Sequence, residues 1–178
     1  MTRDGLQPAA LANGLKVVSI NLMIDKEDKP LIWRGPLITN TIKQFYTDII
    51  WGELDYLVID LPPGTSDVSM TIMQSIPVDG IIMVAVPQDM VSMIVAKAVG
   101  MAKNLGVPVL GLVENMSYLQ CPHCQEKVYI YRSEELPQFL AKKNLEILTE
   151  LPIKPQFSTV YQRDEELSGL FRELADKV

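Results

Sequence analysis

The sequence has 178 residues, of which 48% are hydrophobic, and its formal net charge at pH 7 is -6. This length suits one domain with one continuous core. The acidic balance argues against a nucleic-acid partner, because affinity for phosphate backbones rests on concentrated Lys and Arg. No apolar run approaches the roughly 20 residues of a membrane span, and the N-terminus has no apolar leader, so we expect a soluble, cytoplasmic protein without a membrane partner.

Short apolar runs alternate with segments of helical period along the chain. The predicted strands are residues 16–23, 56–60, 80–86, 108–113 and 145–150. The predicted helices are residues 39–50, 67–76, 89–105 and 133–142, and a last one with the apolar stripe Leu167, Leu170, Phe171, Leu174 and Val178. Asp89 is the predicted cap of the third helix, and Gly106 is its predicted stop. Near-continuous apolar strands are typical of parallel sheets that are covered on both faces. The order predicts an α/β fold with a doubly wound, mostly parallel sheet, whose ligand site lies beyond the carboxyl ends of the strands.

Residues 116–132 follow neither the helical nor the strand period. They contain Pro122, both cysteines and a tyrosine-rich stretch, so we expect an inserted, cysteine-bearing loop or hairpin at a strand end. The chain otherwise shows no repeat and no linker. Residues 1–178 are therefore predicted to form a single α/β domain.

The only two cysteines, Cys121 and Cys124, are separated by two residues. Two intervening residues let the backbone turn back and direct both sulfurs at one metal. Zinc or a cubane cluster usually takes four ligands, so a two-fold homodimer that supplies four cysteines is the economical solution. A zinc-bridged dimer, a thioredoxin-like redox pair and two unliganded surface thiols are the other interpretations of the same residues.

An acidic residue, Asp60, ends the second predicted strand and is followed by Pro62, Pro63 and Gly64. In nucleotide-binding α/β proteins this position suits a carboxylate that orients Mg²⁺ through water, followed by a glycine whose amide senses a terminal phosphate. A strand end with a tight turn explains the same residues equally well.

At this point three strings of the sequence resemble the Mrp/ApbC-type iron-sulfur cluster carriers, a branch of the MinD-like P-loop ATPases. The strings are Ile-Trp-Arg-Gly-Pro at 32–36, Asp-Tyr-Leu-Val-Ile-Asp-Leu-Pro-Pro-Gly-Thr-Ser-Asp at 55–67, and Gly-Leu-Val-Glu-Asn-Met-Ser-Tyr at 111–118 followed by Cys-Pro-His-Cys at 121–124. The resemblance covers about residues 15–157 and weakens at 129–138 and after 161. It implies that Asp60 is the catalytic carboxylate of Walker B type, and that Pro62, Pro63 and Gly64 belong to the switch loop near the γ-phosphate of ATP.

The resemblance also implies roles in the second half of the chain. Asn115 is similar to the family's adenine-contacting Asn, whose amide donates and accepts at once; the residues alone would favour a cap or turn role. Pro152 would line the base pocket. Cys121 and Cys124 would hold a labile [4Fe-4S] cluster that bridges two subunits.

A MinD-like ATPase further needs a glycine-rich loop that ends in Lys and Ser or Thr. None of the ten glycines is followed by Lys, so we expect the P-loop strand and the first switch region to be missing. In the family they lie upstream of the position that matches Met1. Either a fragment of a longer product or a short paralogue fits, and the presence of Asp60 and Asn115 favours the fragment.

Two consequences follow from the missing loop. We expect the chain to be inactive as an ATPase on its own, because phosphate affinity rests on that loop. We also expect marginal stability or poor solubility, since the apolar run at 57–59 would be left with an open edge.

The function that the resemblance implies is an iron-sulfur cluster carrier or assembly protein. It would work as a homodimer, be linked to ATP and Mg²⁺ in the full-length family, and deliver clusters to recipient apoproteins. The alternative is a non-catalytic, zinc-bridged dimerisation module without nucleotide chemistry. A MinD- or ParA-type positioning ATPase is a third interpretation, disfavoured by the cysteine loop and by the lack of a basic amphipathic helix at a terminus.

Overall fold

The computed structural model describes residues 5–23, 35–131, 133–154 and 165–178. The chain divides into two compact units, Met1–Pro77 and Val78–Val178. Residues 32–34 of the first string lie outside the described residues, as do residues 155–164. Among the described residues, no helix combines the length and the apolar character that crossing a membrane requires.

The first unit contains a small antiparallel ribbon and two helices. Strand β1 (Ala9–Ala10) pairs with β2 (Lys16–Val17), and a 3-10 helix follows at Ile20–Met23. Helices α1 (Gly35–Thr47) and α2 (Asp67–Ser75) contact each other. Among the described residues of this unit, the buried apolar side chains are Ile49, Ile72, Met73 and Ile76.

Local capping explains why α2 begins where the sequence predicts. The Ser66 side chain accepts a hydrogen bond from the backbone N–H of Ser69 at 3.2 Å, which satisfies one of the open donors of the first turn. Asp67 adds a negative charge at the positive end of the helix dipole. The signal lies within four residues of sequence, so it needs no tertiary context.

The predicted strand at residues 56–60 is wrong. This stretch has no regular secondary structure, and Tyr56 and Val58 are 81% and 89% exposed. An apolar run forms a strand only where a neighbouring strand takes up its backbone hydrogen bonds, and in the described part of the chain no strand pairs with it. For the same reason the strand predicted at 16–23 shortens to Lys16–Val17, where β1 is the partner.

The second unit is built on three parallel strands. Strand β3 (Ile81–Ala85) pairs with β4 (Val109–Gln120), and β4 pairs on its other side with β6 (Ile147–Pro152). Helix α3 (Asp89–Asn104) connects β3 to β4, and α4 (Glu135–Lys143) lies between β4 and β6 in the chain. These are two β-α-β units with β4 at the centre, the α/β arrangement that the alternating pattern predicts.

Both faces of this sheet are covered. Successive residues of a strand point to opposite faces, and the neighbours Leu112 and Val113 on β4 are both buried. On one face, α5 (Glu165–Ala175) packs Leu170 and Leu174 against the cluster of Val113, Leu148 and Leu151. The predicted helical stripe is therefore confirmed at Leu170 and Leu174, whereas Phe171 and Val178 are exposed.

Helix α3 ends at Asn104, one residue before the predicted end. The helix starts at Asp89, but its capping position is Gln88, whose side chain makes no capping hydrogen bond. Gly106 follows the last turn with a φ of +73°, the left-handed conformation that ends helices and that glycine adopts without strain. The predicted stop at Gly106 is therefore confirmed, whereas the predicted cap at Asp89 is wrong.

Strand β4 is much longer than the predicted segment at 108–113. It continues to Gln120, turns, and pairs antiparallel with β5 (Lys127–Val128). The sheet is therefore mixed: it is parallel at its centre and has an antiparallel hairpin at one end. The predicted parallel pairing is confirmed for β3, β4 and β6 only. The hairpin carries both cysteines.

Candidate functional site

The parallel part of the sheet ends in a bulge. Glu114 pairs with Glu150, but the next paired residues are Tyr118 and Pro152, so three residues of β4 lie opposite the single residue Leu151. A bulge bends its strand and re-aims side chains, and such bulges are frequent beside functional sites. This one lies at the carboxyl ends of the parallel strands, where α/β sheets bind ligands.

Asn115 and Pro152 lie at this bulge. Asn115 is half-buried, and its Oδ1 accepts a 3.0 Å hydrogen bond from the backbone N–H of Met116. That bond supports the unusual positive φ of Met116, +55°, and it leaves the Asn115 Nδ2 group directed away from this contact. Pro152 is fully buried at the end of β6. The structure thus brings these two predicted residues to one edge of the sheet.

A buried acid accompanies them. Ser117 Oγ donates a 3.0 Å hydrogen bond to Glu114 Oε2, and both side chains are buried. Burial raises the pKa of Glu114, the Ser117 hydrogen bond opposes the rise, and the nearby charge of Glu150 adds to it. No sequence signal marks this pair, because Glu114 and Ser117 meet across the bulge of β4, which the spacing of the residues does not predict.

The two cysteines lie on a tight turn at the tip of the hairpin. The backbone N–H of Gln125 donates to the Cys121 carbonyl, and the Cys121 N–H donates to the Glu126 carbonyl, both at 2.9 Å. Gln125 closes the turn with a φ of +62°. This single helix-like turn places residues i and i+3, Cys121 and Cys124, on the same side. Cys124 is exposed and Cys121 half-buried.

The turn favours the thiolate form of Cys121. Backbone N–H groups of Cys124 and His123, in that order of importance, and the Cys124 side chain lower the pKa of Cys121, and only a small desolvation effect opposes them. The thiolate is the form that binds metals. The two backbone donors also stay in place when the sulfur becomes a ligand, so they hold the ligand's orientation.

Side chains anchor the hairpin to β6. Lys127 Nζ on β5 lies 3.1 Å from Glu150 Oε2 on β6, and Tyr129 donates to the same oxygen at 3.4 Å. The Lys127 ammonium also lies 4.1 Å from the centroid of the Tyr118 ring, a cation-π contact. Tyr118 and Tyr129 contact each other with their ring centroids 6.1 Å apart.

In the first unit, Asp60 does not take the predicted position. It lies exposed in an irregular segment rather than at a strand end, and Pro62 and Pro63 are exposed beside it. Gly64 has a φ of +77°, which fits a turn that requires glycine. The buried Ser69 hydroxyl, 3.5 Å from the Pro62 carbonyl, ties the segment to α2.

A metal site within one chain is not formed by the described residues. They contain no group of three or more His, Cys, Asp and Glu side chains that could hold a metal ion. The cysteine turn therefore presents two sulfur ligands and no third from the part of the chain that the structure describes. The donors suit a soft metal or an iron-sulfur cluster whose remaining ligands come from elsewhere.

Comparison with known proteins shows the family of the chain. A family model described as "NUBPL iron-transfer P-loop NTPase", within the ParA group, matches residues 1–174. The "Iron-sulfur cluster carrier protein" of Clostridium perfringens is 45% identical over 146 residues, 82% of this chain and 51% of that protein. The "Iron-sulfur cluster transfer protein NUBPL" of Dictyostelium discoideum is 36% identical over 174 residues, 93% of this chain and 54% of that protein.

A solved structure shows the same fold. A nucleotide-binding protein from Archaeoglobus fulgidus, in complex with ADP and with Co, superimposes with a TM-score of 0.70 at 34% identity, over 99% of this chain and 63% of that one. The chain spans about half the length of the curated relatives it matches. The family match over nearly the whole chain and the identity to these relatives show that the chain belongs to the Mrp/NUBPL family of ParA-type, iron-transfer P-loop NTPases.

Proposed function

We propose that this chain carries an iron-sulfur cluster as its cargo, bound by the Cys121 and Cys124 thiolates. The observation that carries the proposal is the exposed turn at the hairpin tip, where two sulfurs share one side and backbone N–H groups lower the pKa of Cys121. Cargo that must be handed on needs ligands that a recipient can reach. A buried site would hold a cluster permanently.

Ligand counting extends the proposal to a dimer. A [4Fe-4S] cluster takes four thiolates, and each chain has two cysteines. Two copies related by a two-fold axis would supply four equivalent ligands, with the cluster on the axis. The tip of the hairpin can approach its symmetry mate because neither cysteine is fully buried.

Transfer to a recipient apoprotein would proceed by ligand exchange without a change of oxidation state. A recipient thiol loses its proton and forms an iron-sulfur bond, while the bond to Cys121 or Cys124 breaks and that sulfur is reprotonated. Four such exchanges move the whole cluster. The exposed Cys124 is the accessible starting point.

The nucleotide part of the family's chemistry fits the second unit better than the first. We propose that Asn115 and Pro152 contribute to an adenine pocket at the carboxyl edge of the sheet, supported by the bulge that brings them together. Asp60, Pro62, Pro63 and Gly64 do not follow a strand in this structure, so we propose their Mg²⁺- and phosphate-contacting role only together with the P-loop, in the longer proteins of the family. We propose a link to ATP only for the longer proteins of the family.

Anaerobic reconstitution with ferrous iron and sulfide tests the cargo proposal. The chain is expected to develop the broad visible absorption of an iron-sulfur cluster, and Cys121→Ser and Cys124→Ser are each expected to abolish it. His123→Asn is the matched control in the same turn and is expected to retain the cluster. Bound zinc with no cluster would favour the zinc-bridged module instead, because the same thiolates accept either metal.

A further inference from the structure

We propose that the Lys127–Glu150 ion pair is the positioning element that orients the Cys121–Cys124 turn for cluster binding. The inference rests on the proposed cargo function and adds to it a residue pair outside the cysteine motif. Lys127 lies three residues after Cys124 on the returning strand of the hairpin, and Glu150 lies on β6. The pair therefore connects the metal-binding tip to the parallel sheet.

The backbone of the hairpin does not fix the tip by itself. Strand β5 has only two residues, and its ladder to β4 consists of two residue pairs, Leu119 with Val128 and Gln120 with Lys127. Two-stranded hairpins of this length are marginal in water. Contacts between side chains must supply the remaining constraint on how the tip lies relative to the sheet.

Lys127 supplies that constraint in two directions. Its ammonium bonds Glu150 at 3.1 Å and lies over the Tyr118 ring at 4.1 Å. Tyr118 is only 4% exposed, so its ring is a fixed platform within the sheet. Desolvation lowers the pKa of Lys127, but the hydrogen bond and charge of Glu150 outweigh it and raise the pKa, so the lysine keeps its charge.

Glu150 contacts two side chains of the hairpin. Tyr129, just after β5, donates to the same carboxylate oxygen at 3.4 Å and contacts the Tyr118 ring. The neighbours of Glu150 on β6 are Thr149 and Leu151, both buried, so its backbone belongs to the sheet rather than to the hairpin. The Lys127 and Tyr129 side chains of the hairpin thus contact the same carboxylate, which belongs to the sheet.

The placement predicts a separation between stability and cargo retention. The Lys127 side chain is 47% exposed and that of Glu150 31% exposed, and ion pairs of this kind contribute little to global stability. Four sulfurs from two chains, however, must meet one cluster in a fixed geometry. Loosening both hairpins should therefore hasten cluster loss far more than it lowers the melting temperature.

Cluster release to a chelator measures the effect. The reconstituted chain is compared with Lys127→Met and Glu150→Gln, and we expect loss about three- to tenfold faster, with an altered visible circular dichroism of the bound cluster. Lys127→Arg keeps the charge for both partners and should restore retention to within about twofold. Lys142→Met, an exposed lysine on α4, is the matched control and should release cluster at the wild-type rate.

The outcomes distinguish this inference from the function on which it rests. If Lys127→Met and Glu150→Gln bind the cluster and keep it as long as the wild type does, the positioning role is overturned and the cargo proposal stands. Equally fast cluster loss from Lys127→Met and Lys127→Arg would also overturn the positioning role. Should Lys127→Met not fold, Tyr129→Phe, which removes only the hydroxyl bonded to Glu150, must still accelerate loss. A wild-type chain that takes up no cluster overturns the cargo proposal, and the positioning role falls with it.

Discussion

Ser117 Oγ and Glu114 Oε2 are 3.0 Å apart in a buried hydrogen bond that spans the bulge of β4. Burial raises the pKa of Glu114 above its usual value of 4.5, the hydrogen bond opposes this, and the charge of Glu150 adds to it. A carboxyl group with a raised pKa stabilises the fold below its usual pKa. That contribution is lost as pH rises through the raised pKa, when the buried group must ionise.

Glu114→Gln is therefore expected to flatten the dependence of stability on pH. Glutamine keeps an acceptor for Ser117 but carries no charge, so the variant should exceed the wild type in urea midpoint at pH 8 and match it near pH 4. Glu173→Gln, exposed on α5, should follow the wild type at every pH. A Glu114→Gln variant that is less stable than the wild type at pH 8 would contradict this account.

Strands β4 and β6 approach each other so closely that Gly111 is not expected to tolerate a side chain. A Cβ on Gly111 would lie 2.6 Å from Leu148 Cγ and 2.8 Å from the Glu146 carbonyl oxygen. Backbone cannot yield as a flexible side chain can, so Gly111→Ala should lower the free energy of unfolding by about 1–3 kcal/mol, as measured by denaturant titration.

Gly100 on α3 is the matched control. A Cβ there meets nothing within 4 Å, and alanine is favoured over glycine in a helix interior. Gly100→Ala should raise the free energy of unfolding by about 0.5–1 kcal/mol. Equal effects of the two substitutions would contradict the close contact between β4 and β6.

Residues 56–59 form an exposed apolar segment, so a charged substitution there is expected to raise the solubility of the chain. Val58 is 89% exposed, so Val58→Lys removes no packing and should change the free energy of unfolding by less than about 0.5 kcal/mol. An exposed apolar segment promotes association between chains, and a charge opposes it. The soluble fraction after centrifugation should rise.

Met83→Lys serves as the comparison for that substitution. Met83 is buried on β3, so a charge there should destabilise the unit strongly and lower the soluble yield. A loss of stability in Val58→Lys comparable to that of Met83→Lys would show that residue 58 is covered.

Local signals explain which elements the sequence could predict. Helix α2 starts at its Ser66 cap, and α3 stops before Gly106, because caps and stops act within a few residues. The apolar run at 57–59 failed as a strand because pairing depends on a distant partner that local composition does not show. The apolar pattern at β4 predicts the strand but not its length. The extension to Gln120 depends on pairing with β5, which comes later in the chain.

The candidate site divides in the same way. The spacing of Cys121 and Cys124 alone predicts two sulfurs on one side of a turn, and the structure forms that turn. Lys127 and Glu150 are 23 residues apart and meet only because β5 and β6 flank the same end of β4. Nothing in the spacing of those two residues marks them as partners. The nucleotide and metal roles of the individual residues stay predictions.

The stoichiometry of the reconstituted protein tests the central claim most directly. Native mass spectrometry after anaerobic reconstitution should show a dimer with about four iron and four sulfide atoms per two chains, and Cys121→Ser should yield monomers without iron. A monomer that carries zinc, or a cluster bound to a single chain, would contradict a cargo cluster shared between two cysteine hairpins.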